Sequence, residues 1–247
     1  MRGLEIVPVE GIPEIRPGDD LAELIGRAAG ENLHEGDVLI VTHKIVSKAE
    51  GRLVDLRTVE PSAFAQDFAA RYERDPRQIE VVLRESRRIV RMERGLMIAE
   101  THHGFVCANA GVDASNVPGD DVVCLLPTDP DRSAAKLRDA LAARTDLELA
   151  VIVSDSFGRP WREGITNVAI GVSGMYPLAD YRGEMDHHGH RLEASVLAVA
   201  DELAAAAELV MGKTAGIPVA IVRGYPYKWG SGTGKDLLMP PERDLFR

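Results

Sequence analysis

Leu147-Glu-Leu-Ala-Val-Ile-Val-Ser-Asp-Ser-Phe-Gly-Arg-Pro-Trp-Arg-Glu-Gly164 is the stretch on which the fold turns. Its apolar run, Leu147 to Val153, reads as a buried strand. The run ends at Ser154-Asp155-Ser156, a carboxylate flanked by two hydroxyls, and Gly158 to Gly164 reads as a polar loop. Strand ends that open into Gly-rich polar loops are where α/β proteins place ligand chemistry. Hard oxygens beside Arg159 and Arg162 suit a site that holds a divalent cation together with phosphate. The competing reading is a strand-to-turn junction capped by Asp155.

Similar segments recur on both sides. Leu4 to Val9 alternates as a strand does. Asp19 and Asp20 read as caps of a helix with Leu21, Ala22, Leu24, Ile25 and Ala28 on its apolar face and Gly30 as its stop. Asp37 to Thr42 is a short apolar strand that opens into a loop, His43 to Lys48. Pro61–Tyr72 and Pro76–Ser86 have helical spacing. Leu96 to Glu100 and Gly104 to Ala108 read as paired strands around a His102-His103 turn. Asn109 to Asn116 is a polar loop closed by Val117-Pro-Gly119. Val122 to Leu126 is a strand, Pro130 to Arg144 a helix, Asn167 to Ser173 a strand, Leu192 to Met211 a long Ala-rich helix stopped by Gly212, and Ile217 to Val222 a strand. Strands and helices alternate irregularly, which predicts a mixed α and β chain in two lobes with no clean linker.

Composition narrows the function. The 247 residues are 45% hydrophobic and 28% charged, as expected of a globular chain large enough for a real core. The net charge of -10 argues against broad binding to nucleic acid or an anionic membrane. No apolar run reaches bilayer length, and Met1 to Val7 lacks the hydrophobic region of a signal peptide. The two cysteines, Cys107 and Cys124, sit in apolar strand-like runs and read as reduced core thiols of a cytoplasmic protein.

Four strand-end loops carry the candidate chemistry. In His43 to Lys48, Lys44 and Lys48 are four apart, as phosphate-binding point charges or as a solvated pair. In Asn109 to Asn116, Gly111 permits an unusual backbone angle, and Asp113 either ligates a metal or caps a turn with Ser115. The third is Asp155-Ser156 with Arg159 and Arg162. The fourth is Met211 to Gly216, where a helix C-terminus favours a cation and Lys213 and Thr214 read as caps. Asp113 and Asp155 together would suit Mg²⁺ or Mn²⁺, which take one or two carboxylates plus phosphate oxygens. Asp186-His-His-Gly-His190 reads as an exposed polar loop, with zinc as the alternative. Gly230 to Lys235 lacks the spacing of a phosphate-binding P-loop and reads as a flexible loop.

Taken together, GIPEIRPGDDL (Gly11–Leu21), THKIVSKAEGR (Thr42–Arg52), ANAGVDASNV (Ala108–Val117), VSDSFGRPWREG (Val153–Gly164), ADELAAAAELVMGK (Ala200–Lys213) and IPVAIVRG (Ile217–Gly224) resemble the coenzyme F420-0:L-glutamate ligases, in the family's order and across nearly the whole chain. The resemblance implies an intertwined homodimer of two-lobed α+β subunits. It implies a GTP-dependent ligase with two Mg²⁺ or Mn²⁺ ions, often helped by K⁺. Such an enzyme adds L-glutamate to the deazaflavin precursor F420-0, first by an α-amide and then by γ-glutamyl links, and the expected chemistry activates the precursor's carboxylate as an acyl phosphate. By motif, Ile12, Pro13, Glu14 and Ile15 would touch the nucleotide, with His43, Lys48 and Asn116, and the Met211 to Pro218 loop, including Gly212, Lys213 and Thr214, would close over it. Asp113 and Asp155 would hold the first ion, and Ser156 would help hold the second. Lys48 and Arg159 would offset phosphate charge. Two departures stand out. His43 replaces a small hydroxyl, and Lys213 replaces a Glu or Gln that would reach the second ion, where an ammonium cannot ligate. Some relatives continue into a flavin-reductase-like domain. Here Asp244 to Arg247 resembles the lead into it, so residues 1–247 are expected to be one ligase domain. A metal-dependent phosphohydrolase or phosphotransferase, or a non-catalytic nucleotide-binding dimer, would use the same loops.

Overall fold

The computed structural model describes residues 3–117 and 119–245. The readings that rest on Met1, Arg2, Phe246 and Arg247, and on Pro118 in the turn closing the Asp113 loop, lie outside the described residues. In chain order the first elements are β1 (Glu5–Pro8), α1 (Leu21–Ala29), β2 (Val38–Thr42), α2 (His43–Ala49), β3 (Leu53–Asp55), α3 (Ala63–Tyr72) and α4 (Pro76–Glu85). Next come β4 (Ser86–Glu93), β5 (Leu96–Thr101), β6 (Val106–Ala108), β7 (Val122–Cys124) and α5 (Pro130–Thr145). The chain continues with β8 (Ala150–Arg159), β9 (Arg162–Met175), β10 (Ala179–Asp180), β11 (Val196–Leu197), α6 (Val199–Met211), β12 (Val219–Arg223) and β13 (Trp229–Gly230).

A six-stranded sheet in the order β1-β12-β2-β8-β9-β13 forms the larger unit. Side chains alternate across each strand, so one strand feeds two cores. Leu39 and Val41 of β2, with Val151 and Val153 of β8, pack on the side of α1 and α5. Val38, Ile40, Ala150 and Ile152 pack on the side of α6. That two-sided burial explains the unbroken apolar runs in β2 and β8, the sheet's parallel pair. A third core, around Phe68, Val82, Met97, Ala99 and Val123, holds α3 and α4 against the two small sheets β3-β7 and β4-β5-β6. The chain is therefore mixed α and β with several sheets, consistent with the expected α+β class.

Helix caps fall where side chains satisfy the first free N–H groups. Asp20 accepts from Glu23 N, Ser62 from Ala65 N and Asp129 from Arg132 N. Several expectations need correction. His43 to Lys48 is helix α2, not a loop. The Ala-rich helix starts at Val199 rather than Leu192, and β11 occupies part of the difference. The Leu147 strand does not stop at Ser154. It runs on to Arg159, turns at Pro160-Trp161 and returns as β9, so Gly158 to Gly164 is a hairpin tip. Pairing with β9 satisfies the backbone beyond the apolar run.

The hairpin carries a β-bulge at the point where β8 turns polar. Val153 pairs with Gly171 and Ser154 with Ala169, which leaves Ile170 as an extra residue. Bulges bend a strand and re-aim its side chains. Asp201 Oδ1 accepts from Ala169 N at 2.8 Å, and Asp131 Oδ1 accepts from Val172 N at 2.9 Å and from Gly234 N at 2.6 Å. Two helices thus pin the bulge. The Gly234 contact also fixes the Gly230 to Lys235 segment, where Gly234–Leu237 is a helical turn capped by Thr233 rather than a flexible loop.

Candidate active site

The topology gathers the candidate loops at one edge of the central sheet. Thr42, at the C-terminal end of β2, pairs with Ser154, the last residue of β8 that lies beside β2. Strand β12 runs antiparallel to β2, so its entry loop meets the same edge, and Thr42 N donates to Pro218 O at 2.9 Å. Strand β1 runs antiparallel to β12, so its exit toward Ile12 also arrives there, with Val9 N donating to Val219 O. A cavity of about 1050 Å³ opens between these segments. Ile12, Pro13, Glu14, Ile15, His43, Lys44, Lys48, Asp113, Asn116, Ser154, Asp155, Ser156, Asn167, Glu208, Gly212, Lys213 and Thr214 are among its lining residues. Asp113 and Asp155, distant in sequence, share this space.

Each carboxylate has a basic neighbour from α2. Lys44 Nζ lies 2.7 Å from Asp113 Oδ2 and donates to Ser115 O at 2.8 Å. Ser115 N and Oγ also donate to Asp113. Burial alone would raise the Asp113 carboxyl, but the Lys44 ammonium and the Ser115 donors outweigh it and hold it below the ordinary carboxylate value. The loop reaches this position through left-handed backbone at Asn109, Ala110 and Gly111. Gly111, at φ +73°, also sits so close to Leu126 that a Cβ would lie 2.7 Å from Leu126 Cγ.

Asp155 accepts from Ser156 N at 2.7 Å, and His43 Nε2 lies 3.3 Å from its Oδ1. His43 is buried, and its Nδ1 is 3.4 Å from Ser47 Oγ. Ser154 Oγ is buried without a hydrogen-bond partner among the described residues. Asp155 also makes itself felt behind the strand. Burial, with the Asp155 charge second, pushes the Cys107 thiol up to about 12. Cys124 is raised as well, chiefly by burial. Both cysteines are free and buried, as the sequence predicts.

Lys48, although buried, reaches Glu14 Oε1 at 2.6 Å and ties α2 to the Ile12 to Ile15 segment. A second polar group lies toward the C-terminus of α6. Lys213 Nζ donates to Ser156 Oγ and lies 3.3 Å from Glu208 Oε1. Ser156 Oγ donates to Asn167 Oδ1 at 2.6 Å, and Asn167 Nδ2 donates to Glu208 Oε2 at 2.7 Å.

Two of the expected residues fall elsewhere. Arg159 lies outside the cavity lining, and its Nη2 donates to Glu163 O at 2.6 Å across the hairpin. Met211 is fully buried in the α6 core rather than in the closing loop. Lys44, noticed only as half of a lysine pair, turns out to be the partner of Asp113. Glu208 and Asn167 carried no local signal, because their roles come from contacts across the fold. Among the described residues, no three His, Cys, Asp or Glu side chains are grouped to hold a metal ion, the Asp186 to His190 loop included. There His188 N and His190 N both donate to Asp186 Oδ1. Asp113 and Asp155 line one cavity, and carboxylates are the donor type that Mg²⁺ or Mn²⁺ combine with phosphate and water.

The family model described as F420-0:Gamma-glutamyl ligase matches residues 11–224. The chain is 49% identical, over 99% of both sequences, to the Coenzyme F420:L-glutamate ligase of Methanothermobacter thermautotrophicus. It is 47% identical to the protein of the same name from Methanopyrus kandleri, over the full length of both. It is 41% identical to that of Methanocaldococcus jannaschii, over 100% of this chain and 98% of the other. No helix among the described residues is long and apolar enough to cross a membrane.

Proposed function

The chain belongs to the F420-0:gamma-glutamyl ligase family, and on that premise we propose that it joins L-glutamate to coenzyme F420-0 at the expense of GTP. The observation that carries this reading is the shared cavity. Two carboxylates from distant segments, Asp113 and Asp155, line it together with Lys44, Lys48 and the Ile12 to Ile15 segment.

A free carboxylate does not form an amide in water at a useful rate, because its oxygen is a poor leaving group. The proposed route activates it first. A carboxylate oxygen of F420-0 attacks the γ-phosphorus of GTP, the bond to the β-phosphate oxygen breaks, and GDP leaves. The glutamate amine, having lost a proton, then attacks the acyl carbon. The carbon–oxygen bond breaks, inorganic phosphate departs, and an amide remains. Repetition on the side-chain carboxyl of the added residue would give γ-linked glutamates.

The protein's share of this work is positioning and charge neutralisation. Asp113 and Asp155 are the residues that would hold a divalent Mg²⁺ or Mn²⁺ ion, which when bound offsets phosphate charge. Lys48 is buried, so its charge acts in a lowered dielectric beside the phosphates. His43 Nε2 lies 3.3 Å from Asp155 Oδ1, and both residues face the cavity. Ile12 to Ile15, Asn116 and the Gly212 to Pro218 loop form the walls around the nucleotide. A homodimer and a requirement for K⁺ belong to the same proposal.

Incubation with F420-0, L-glutamate, GTP and Mn²⁺, followed by mass measurement, tests it. The expected product is heavier by one or more glutamyl units, and GTP consumption depends on both other substrates. GTP hydrolysis at the same rate without F420-0 and glutamate would contradict it.

A further inference from the structure

The polar group around Lys213 carries its own cation. Three of its four members lie on separate elements, Ser156 on β8, Asn167 on β9 and Glu208 in the last turn of α6, and Lys213 follows the Gly212 cap. The hydrogen bonds run in one direction. Lys213 Nζ donates to Ser156 Oγ, Ser156 Oγ donates to Asn167 Oδ1, and Asn167 Nδ2 donates to Glu208 Oε2. Glu208 Oε1 closes the ring 3.3 Å from Lys213 Nζ. Asn167 is buried, so its amide has little access to water and relies on these partners.

This arrangement conflicts with a second divalent ion at Ser156. An ammonium offers three donors and no lone pair, so Lys213 cannot ligate a metal. Its donor already points at the hydroxyl oxygen that a metal would need. Charge counts the same way. Glu208 and Lys213 cancel, whereas two acidic side chains there would leave a surplus matched to a dication. A metal at Ser156 would have to displace the ammonium from that hydroxyl, with Glu208 the one carboxylate of the ring to offset both charges. The position also suits a monovalent cation held by the protein itself. Gly212 ends α6, and the negative end of the helix favours positive charge there.

We infer that Lys213 supplies through its own ammonium the positive charge that a second divalent ion would bring to Ser156 and Glu208, so that this chain works with a single divalent ion. The inference rests on the reading of the cavity as a metal–nucleotide site. It assigns Asp113 and Asp155 to the one ion. It places the Lys213 ammonium against Ser156, the residue that follows Asp155 in the strand.

Ion stoichiometry separates the possibilities. The protein, loaded with one equivalent of a non-hydrolysable GTP analogue, is titrated with Mn²⁺ while free Mn²⁺ is followed by electron paramagnetic resonance. The analogue alone serves as the control. The expected result is one tightly bound Mn²⁺ per chain in the wild type. In Lys213→Glu a second Mn²⁺ binds and the two spins couple. Lys213 is about half exposed, so the substitution leaves the core intact, and circular dichroism checks this. Two tightly bound ions in the wild type overturn the inference while leaving the metal–nucleotide reading in place. One ion in both proteins also overturns it, because Lys213 would then not be what excludes the second. No bound Mn²⁺ in the wild type overturns the reading and the inference together.

Discussion

Lys44 Nζ lies 2.7 Å from Asp113 Oδ2, so the second residue of helix α2 fixes the carboxylate of a loop from the other core. This ion pair is one link between the lobe around α3 and α4 and the edge of the central sheet. Lys44→Met removes the charge and keeps an unbranched side chain one atom shorter. Mn²⁺ affinity in the presence of a GTP analogue is expected to fall by about 10-fold to 100-fold, the range seen when a partner of a metal ligand is lost. An unchanged affinity would remove Lys44 from the site.

The same pair has a pH signature. Asp113 is held below its ordinary carboxylate value, so its folded pKa lies below its unfolded one. The stabilisation is therefore present above the unfolded pKa and is lost as pH falls through the folded pKa. Denaturant unfolding of wild type and Lys44→Met should differ at neutral pH. The difference should close in acid, below the usual carboxylate range. A gap that widened in acid would contradict the assigned sign.

Asp155→Asn keeps the shape of the side chain and removes its charge. Asp155 is only 16% exposed at its side chain and lies on a strand paired on both sides. The fold should survive, with little change in Tm. Product formation should fall by about 10²-fold or more if the carboxylate holds the ion. Wild-type turnover in this variant would rule out that role.

Gly111→Ala tests how tightly the backbone sets the Asp113 loop. A methyl group would lie 2.7 Å from Leu126 Cγ at a residue with φ of +73°. Strain and overpacking together should cost about 1 to 3 kcal/mol in urea unfolding. Nucleotide KM should rise as Asp113 is displaced. A variant as stable as wild type would show that the loop tolerates other paths.

Burial pushes the Cys107 thiol up to about 12 and raises Cys124. Neither should form the reactive thiolate at about pH 8. Iodoacetamide is expected to label both cysteines in denaturant and neither in the native protein. Native labelling of Cys107 would place it outside the core behind Asp155.

Much of this architecture was legible in the residues, for identifiable reasons. The apolar runs of β2 and β8 mark strands buried on both faces, and Asp20, Gly30, Pro130 and Gly212 mark helix ends through their backbone chemistry. Asp113 and Asp155 stood out as carboxylates beside small residues at strand ends, and they do share a cavity. Other features left no local trace. Strand β4 is lined with Arg87, Arg88 and Arg91 and has no apolar run, so only its pairing with β5 defines it. Helix α2 is short and buried on most sides, so it lacks the polar face that signals an amphipathic helix. The polar end of β8 hid the rest of that strand, because its partner β9, not its own hydrophobicity, keeps it extended. The Lys44–Asp113 pair and the Lys213 ring join residues far apart in sequence, and spacing along the chain carries no record of them.

The most direct measurement of the central claim follows one oxygen atom. F420-0 labelled with heavy oxygen in its reacting carboxylate is incubated in ordinary water with the protein, GTP, L-glutamate and Mn²⁺, and the released phosphate is analysed by mass. If the carboxylate attacks the γ-phosphorus and phosphate later leaves the acyl carbon, one labelled oxygen appears in each phosphate released. Phosphate without the label, formed while the amide product accumulates, would contradict the acyl-phosphate route.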